Sequence, residues 1–264
     1  MIFSINRILL LNTLQFVSKA IPKRSTLPIL SCALFTQKEN ILNIRATDLE
    51  ISISINCTTE NEKEGSVAIP INKLLEITTA INDETIKFSI SDIGKVCINC
   101  KNGRYTIMGQ SHDEFPSEHI IENGTKLNIE GEKLITIIQN TSYAASRDDL
   151  KPVLQGVLFK VDNDDFISVA TDGHRLVKFE KKDMQTSGFK GSVVVPIKFL
   201  SLINNNIEKE NNITLVIGKN HVQIKQKSGM ITTRIVKDPF PDYEGVIPKD
   251  NNKTLVIDKE AFRE

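Results

Sequence analysis

The sequence predicts an α+β fold of tandem domains, each made of two βαβββ units, with antiparallel sheets on one side and helices on the other. Three observations predict it. A strand, helix and three strands recur in order along the chain. Neighbouring strand-like runs are joined by short polar turns, which favours antiparallel pairing. The second half repeats the first by identity as well as by pattern. Residues 28–48 align with 152–172 at an offset of 124 without gaps, matching at Pro28/Pro152, Leu30/Leu154, Leu34/Leu158, Phe35/Phe159, Ala46/Ala170, Thr47/Thr171 and Asp48/Asp172. Seven matches in 21 positions exceed the roughly one or two that ordinary composition yields. A long internal period outranks any local motif as a fold signal.

The elements follow in order. Phe3 and Ile5 alternate with polar residues, and Asn6 opens a helix whose apolar face is read as Ile8, Leu11, Leu14, Val17 and Ile21, ended by Pro22. Strands are expected at 29–36, 41–46 and 51–57, then a polar, acidic turn over 59–65. A strand at 67–69 leads through Pro70 into a helix bearing Ile71, Leu74, Ile77 and Ile81. Proline suits a first helical turn, where its missing N–H is not needed. Strands at 85–90, 96–100 and 105–108 complete the unit pair. The pattern then restarts: a strand at 127–129, a helix over 131–142 with Leu134, Ile135 and Ile138 inward, and strands at 155–161, 166–170 and 176–179. After a polar loop at 181–188, a strand at 193–195 passes through Pro196 into a helix with Ile197, Leu200 and Ile203, matching the earlier helix at an offset of 126 out to Ile81/Ile207. Strands at 213–217, 221–225 and 230–235 follow, and Phe115-Pro116 and Phe240-Pro241 mark the two repeat ends.

Domains are therefore expected at 1–122 and 123–250. Residues 251–264 resemble the opening strand and helix of a third copy, so the reading is a C-terminally truncated three-repeat protein. A lone strand and part of a helix have no face to bury against.

Composition bounds function. The 264 residues are 40% hydrophobic and 25% charged, with a formal net charge of zero, so no global basic field marks a nucleic-acid binder, although a local basic surface can sit inside a neutral total. Cys97 and Cys100 form a C-x-x-C, but inside an alternating run and without a second cysteine pair, so they read as small side chains in a strand rather than metal ligands. Four cysteines without a disulfide framework, no signal peptide and no long apolar segment suit a cytoplasmic protein without a membrane partner. No cofactor or metal is implied. Thr171-Asp172-Gly173-His174-Arg175 invites a catalytic reading, since Asp beside His is a familiar acid–base pair. The first copy, however, keeps Thr47-Asp48 but carries Leu49-Glu50 where Gly173-His174 stand. The shared Thr-Asp is better explained as turn chemistry, its carboxylate accepting from backbone N–H groups.

Several segments in this order carry a family likeness: Arg24-Ser25-Thr26-Leu27-Pro28-Ile29-Leu30, Ala46-Thr47-Asp48-Leu49-Glu50, Val169 through Leu176, Val194-Val195-Pro196, Phe240-Pro241-Asp242-Tyr243 and Val246-Ile247-Pro248. On these the chain resembles the bacterial DNA polymerase III beta subunit, the sliding clamp. The resemblance implies a DNA clamp fold with helices lining a hole and sheets forming the outer wall. It implies a head-to-tail homodimer that encircles duplex DNA independently of sequence, tethers the replicative polymerase and has no enzymatic activity. Arg24 falls on the family's DNA-facing loop position. Lys73, Lys198, Arg147 and Lys151 are further DNA-contact candidates, against the ordinary reading of solvated surface cations. Where relatives carry two tyrosines and a polar amide, this chain has Pro152, Val153 and Asp148, which are left off that list. The resemblance also implies a pocket for short peptides of polymerase III catalytic subunit and clamp loader, formed by Leu154, Thr171, Gly173, His174, Arg175, Leu176, Pro241 and Val246. An alternative remains: a repeat-built peptide-binding module that does not close around DNA.

Overall fold

The computed structural model describes residues 1–263 except 102, 120, 149, 163, 164, 183, 185, 186, 207–211 and 227. The first domain runs β1 (Ile2–Asn6), α1 (Arg7–Val17), β2 (Cys32–Lys38), β3 (Ile41–Thr47), β4 (Ile51–Thr58), β5 (Glu60–Lys63), β6 (Gly65–Pro70), α2 (Ile71–Ala80), β7 (Thr85–Ile90), β8 (Lys95–Cys100) and β9 (Gly103–Met108). The second runs β10 (Thr125–Glu130), α3 (Gly131–Thr141), β11 (Gly156–Asp162), β12 (Asp165–Thr171), β13 (Leu176–Lys181), β14 (Ser187–Gly188), β15 (Gly191–Pro196), α4 (Ile197–Asn204), β16 (Asn212–Ile217), β17 (His221–Gln226) and β18 (Gly229–Arg234). A short helix, α5 (Lys259–Arg263), ends the described chain. The repeat expected from the sequence is thus present element by element.

Three antiparallel sheets carry the fold. In order they read β5-β1-β7-β8-β9, then β14-β10-β16-β17-β18-β4-β3-β2-β6, then β13-β12-β11-β15. The nine-stranded sheet is the architectural key, because it crosses from one domain to the other. There β18 pairs with β4, setting Gly229 opposite Ile55, Met230 opposite Ser54, Ile231 opposite Ile53, Thr232 opposite Ser52 and Thr233 opposite Ile51. Ile51, Ile53, Ile55 and Ile231 of that joint belong to one cluster spanning both domains, from Phe3 and Phe35 to Phe159, Phe199 and Ile224. Helices pack in pairs, α1 on α2 and α3 on α4, against the inner face of the sheets.

Local chemistry explains most boundaries. The Asn6 side chain accepts from the N–H groups of Ile8 and Leu9 and so caps α1. Pro70 and Pro196 precede α2 and α4 directly. Among the cysteines, Cys97 and Cys100 lie on β8 as expected, and all four are free.

Several expectations need correction. The strand expected from Ile29 starts only at Cys32, because Pro28–Ser31 forms a 3-10 turn led by its proline, as Pro152–Gln155 does in the second domain. The buried face of α1 is Leu10, Thr13, Leu14 and Val17, while Ile8 is 57% exposed. The apolar run Ile8 to Leu11 covers most of a turn, so periodicity alone did not set its phase. The two turns read as purely polar hold short edge strands, β5 and β14. No strand forms over 254–257, where Leu255 and Val256 are 78% and 91% exposed, because no neighbouring strand is there to pair with them. The expected match at Ile207 lies outside the described residues.

Candidate interaction site

The Thr-Asp turn is built twice with the same bonds. In the second domain the Thr171 hydroxyl donates to the Arg175 carbonyl at 2.7 Å and accepts from the Gly173 N–H at 3.0 Å. Asp172 Oδ1 accepts from the N–H groups of His174 and Arg175 at 2.9 and 3.0 Å. In the first domain Thr47 donates to the Ile51 carbonyl and accepts from the Leu49 N–H, while Asp48 Oδ1 accepts from Glu50 and Ile51. This is turn chemistry rather than acid–base machinery. The two backbone donors, with Arg175, hold the Asp172 carboxyl down at about 2, so it stays ionised and is no proton carrier near neutrality. The third turn position requires positive φ, +92° at Gly173 and +76° at Leu49.

The surroundings of the two turns differ. Asp48 Oδ2 pairs with the Lys198 ammonium at the start of α4, and the Arg234 N–H donates to the Glu50 carbonyl at 2.9 Å. The first turn is therefore a fixture of the domain joint. Asp172 Oδ2 instead takes the Nε of its own Arg175 at 3.0 Å, and Gly173, His174 and Arg175 are exposed.

Next to the open turn lies an apolar cluster on the outer face of the four-stranded sheet. Leu158, Val169, Val194 and Tyr243 are buried there, with Ile167, Leu176, Val236, Phe240 and Ile247 packed partly against them. Alternation sets the faces: Leu158 and Val194 point outward while Phe159, Val193 and Val195 join the main core. The corresponding outer surface of the first domain is smaller and sealed. Arg45 stands where Val169 does, donating to the Pro116 carbonyl at 2.8 Å and lying 5.1 Å from the Phe115 ring centre.

The sequence-derived pocket residues are placed unevenly. Leu176 lies in the apolar cluster, and Leu154 is buried with its carbonyl accepting from Ser146 N–H at 2.8 Å. Pro241 lines a neighbouring groove with Leu158, Val194, Phe240 and Tyr243, and Val246 is 67% exposed. His174 and Arg175 line a cleft shared with Arg147 and Lys151, so two DNA-contact candidates sit beside the turn. Arg24 and Lys73 are exposed, whereas Lys198 is half exposed and engaged with Asp48. Sequence reasoning did not place Phe240, Tyr243 and Ile247 at the site, although it singled out their segments as family landmarks. Among the described residues, no group of three or more His, Cys, Asp or Glu is placed to hold a metal. No described helix is long and apolar enough to cross a membrane.

Repeats joined edge to edge through one continuous sheet, with helices packed in pairs against the sheets, are the architecture of a clamp-type protein. Comparison with known proteins makes the class specific. The DNA polymerase III beta subunit N-terminal domain matches residues 1–120 and its central domain residues 128–242. A beta sliding clamp from Pseudomonas putida is 31% identical over 265 residues, covering 99% of this chain and 72% of the relative. The DNA polymerase III subunit beta from Pseudomonas aeruginosa superposes with a TM-score of 0.88 at 27% identity, over 96% of this chain and 69% of that one. The polymerase sliding clamp of Bacillus subtilis gives a TM-score of 0.87 at 25% identity, over 95% and 68%. The chain belongs to the DNA polymerase III beta subunit family, the beta sliding clamps, which are processivity factors and not enzymes.

Proposed function

We propose that this chain works as a sliding tether in DNA replication: basic residues near its helical face hold duplex DNA without reading sequence, and the open turn of the second domain docks short peptides of polymerase and clamp loader. The domains are taken as 1–122 and 123–250, with 251–264 opening a further unit. The cytoplasm is the compartment this role requires.

The peptide half rests on one observation, the pairing of an exposed turn with a half-buried apolar cluster. Leu176, Phe240, Tyr243 and Ile247 offer a cup for Leu and Phe side chains, and His174 and Arg175 a polar rim. Apolar cups with a few polar groups are the usual form of peptide recognition. Thr171, Gly173, Leu154, Pro241 and Val246 frame the same region. The DNA half rests on Arg24, Lys73, Arg147 and Lys151, all exposed and free to face phosphates. Lys198 contributes less, since Asp48 already claims it.

The test is fluorescence anisotropy with a labelled peptide carrying adjacent Leu and Phe anchors. Leu176→Asp places a charge in the cup and should weaken binding by about 100-fold. Unchanged affinity in a folded variant would show that the cup is elsewhere. DNA retention is read separately, as loss of salt-sensitive binding in Arg24→Ala.

A further inference from the structure

The stretch that carries the chain from the first domain to the second crosses the outer face of the joint. On the first side it is anchored by the Pro116 carbonyl, which accepts from Arg45 of β3 at 2.8 Å, and it enters the second domain at β10. In the nine-stranded sheet β4, β18, β17 and β16 lie between those two strands. We infer that His119 and His221 form a pH-sensitive clasp on this connector, closed when both rings are neutral and opened by protonation of His221.

Two contacts pin the connector to the turn between β16 and β17. The rings of His119 and His221 stack, with centroids 4.5 Å apart and planes 24° from parallel. Two residues on, Ile121 lies over Gly218, where a built Cβ would come within 2.7 Å of the Ile121 Cγ2. At Gly124, just before β10, a Cβ would meet the same Cγ2 at 2.7 Å. Glycine at both positions lets the isoleucine seat. The turn beneath is held by the Gly218 N–H, which donates to the His221 carbonyl at 2.8 Å, and by the Ile235 N–H, which donates to the Asn220 carbonyl at 3.0 Å. Alternation puts His221 on the outer face, because Val222 and Ile224 fill the core. Gln223 and Thr232 also point outward on the strands crossed, yet are only 4% and 5% exposed, in keeping with cover from outside.

Chemistry makes this clasp depend on charge. The Nε2 of His221 is shut off from water and has no hydrogen-bond partner. A protonated imidazole carries an N–H on both nitrogens, and a buried charged donor without an acceptor is costly. Among the described residues, the charged groups facing His221 are all basic: His119 from the connector, Arg234 opposite it on β18, and Lys237 from the segment after β18. Glu118, the carboxylate next to His119, acts on Arg45 instead, and Glu122 is exposed. Burial first, and then these neighbours, hold His221 below its ordinary value of 6.5. The neutral ring therefore contributes fully above that ordinary value, and its contribution is lost as pH falls below it. A charged His221 regains solvation by turning Nε2 to water, which requires unstacking from His119.

The clasp goes beyond DNA holding and peptide docking and depends on neither. The test is methyl and imidazole NMR of the 264-residue chain over a pH series. Near neutrality the Ile121 methyl should show a nuclear Overhauser contact to the Gly218 α-protons. That contact should lose about half its intensity or more between about pH 7.5 and about pH 5.5, in step with titration of the His221 C2–H. Cross-strand contacts between β17 and β18 should persist. His119→Ala, a change at an exposed position, should lose the methyl contact at both ends of the series. His221→Phe keeps a flat ring with no proton to gain, and should retain it at both. A wild-type contact that does not change with pH would overturn the proposal, as would parallel loss of the β17–β18 contacts. So would a pH response that survives in His221→Phe, or a connector that stays seated in His119→Ala.

Discussion

The turns at Thr47–Ile51 and Thr171–Arg175 share one hydrogen-bond design and lead opposite lives. The first is clamped into the domain joint by Lys198 and by the strand carrying Arg234. The second faces solvent beside an apolar cluster, its spare carboxylate oxygen occupied by its own Arg175. A turn made of Thr and Asp is thus a structural part. What it does depends on what the tertiary structure sets against it. Beneath the turns, Arg45 against Phe115 in one domain and Val169 under Tyr243 in the other repeat the lesson. One outer face is sealed by a cation, the other is left apolar.

The largest effect is expected at the joint. Gly229→Ala forces a Cβ into the Ser54 carbonyl and should cost on the order of 3 kcal/mol in urea unfolding, because the two domain cores share that seam. Near-normal stability would mean the seam is not what holds the covered turn in place. Asp48→Ala removes two accepted N–H bonds and the Lys198 pair, and should lower stability by about 1–2 kcal/mol. Asp172→Ala should cost less, since its turn is open to water that can replace the lost bonds. Equal losses at the two sites would mean that the first turn is no more tightly held than the second.

Smaller effects separate backbone strain from contacts. Gly173 has φ +92° and nothing within 4 Å of a built Cβ, so Gly173→Ala should cost about 1 kcal/mol through conformation alone. Leu49→Gly is the reverse experiment at φ +76°. It should be neutral or stabilising by about 0.5 kcal/mol, as relieved strain offsets the added freedom of the unfolded chain. The smallest effect is in pH. The Asp172 carboxyl is held below its ordinary value of 3.8, at about 2. A depressed acid stabilises the folded state above its ordinary range, and that contribution fades as pH falls from about 4 towards 2. Asp172→Asn should therefore flatten that acid limb of the stability curve, read as urea midpoint against pH.

The candidate site was partly legible in the chain. The identity of Thr47-Asp48 with Thr171-Asp172, and their divergence after it, separates turn chemistry from Gly173-His174-Arg175-Leu176 within the sequence alone. Phe240, Tyr243 and Ile247 were visible as landmarks but not as partners of Leu176, because nothing in a linear pattern says which sheet face a returning segment will cover. Lys198 looked like a free cation for the same reason: its partner Asp48 lies 150 residues away.

By itself the sequence determined the βαβββ repeat, the family, most element positions and the turn design. These depend on local periodicity, proline placement and short-range hydrogen bonding, all carried within a few neighbouring residues. The tertiary structure alone decided that β4 and β18 join the domains in one sheet, that α1 buries Leu10 and leaves Ile8 exposed, and that 254–257 form no strand. Each of those depends on whether a partner surface is present, and strand pairing and burial are properties of two surfaces, only one of which any stretch of sequence contains.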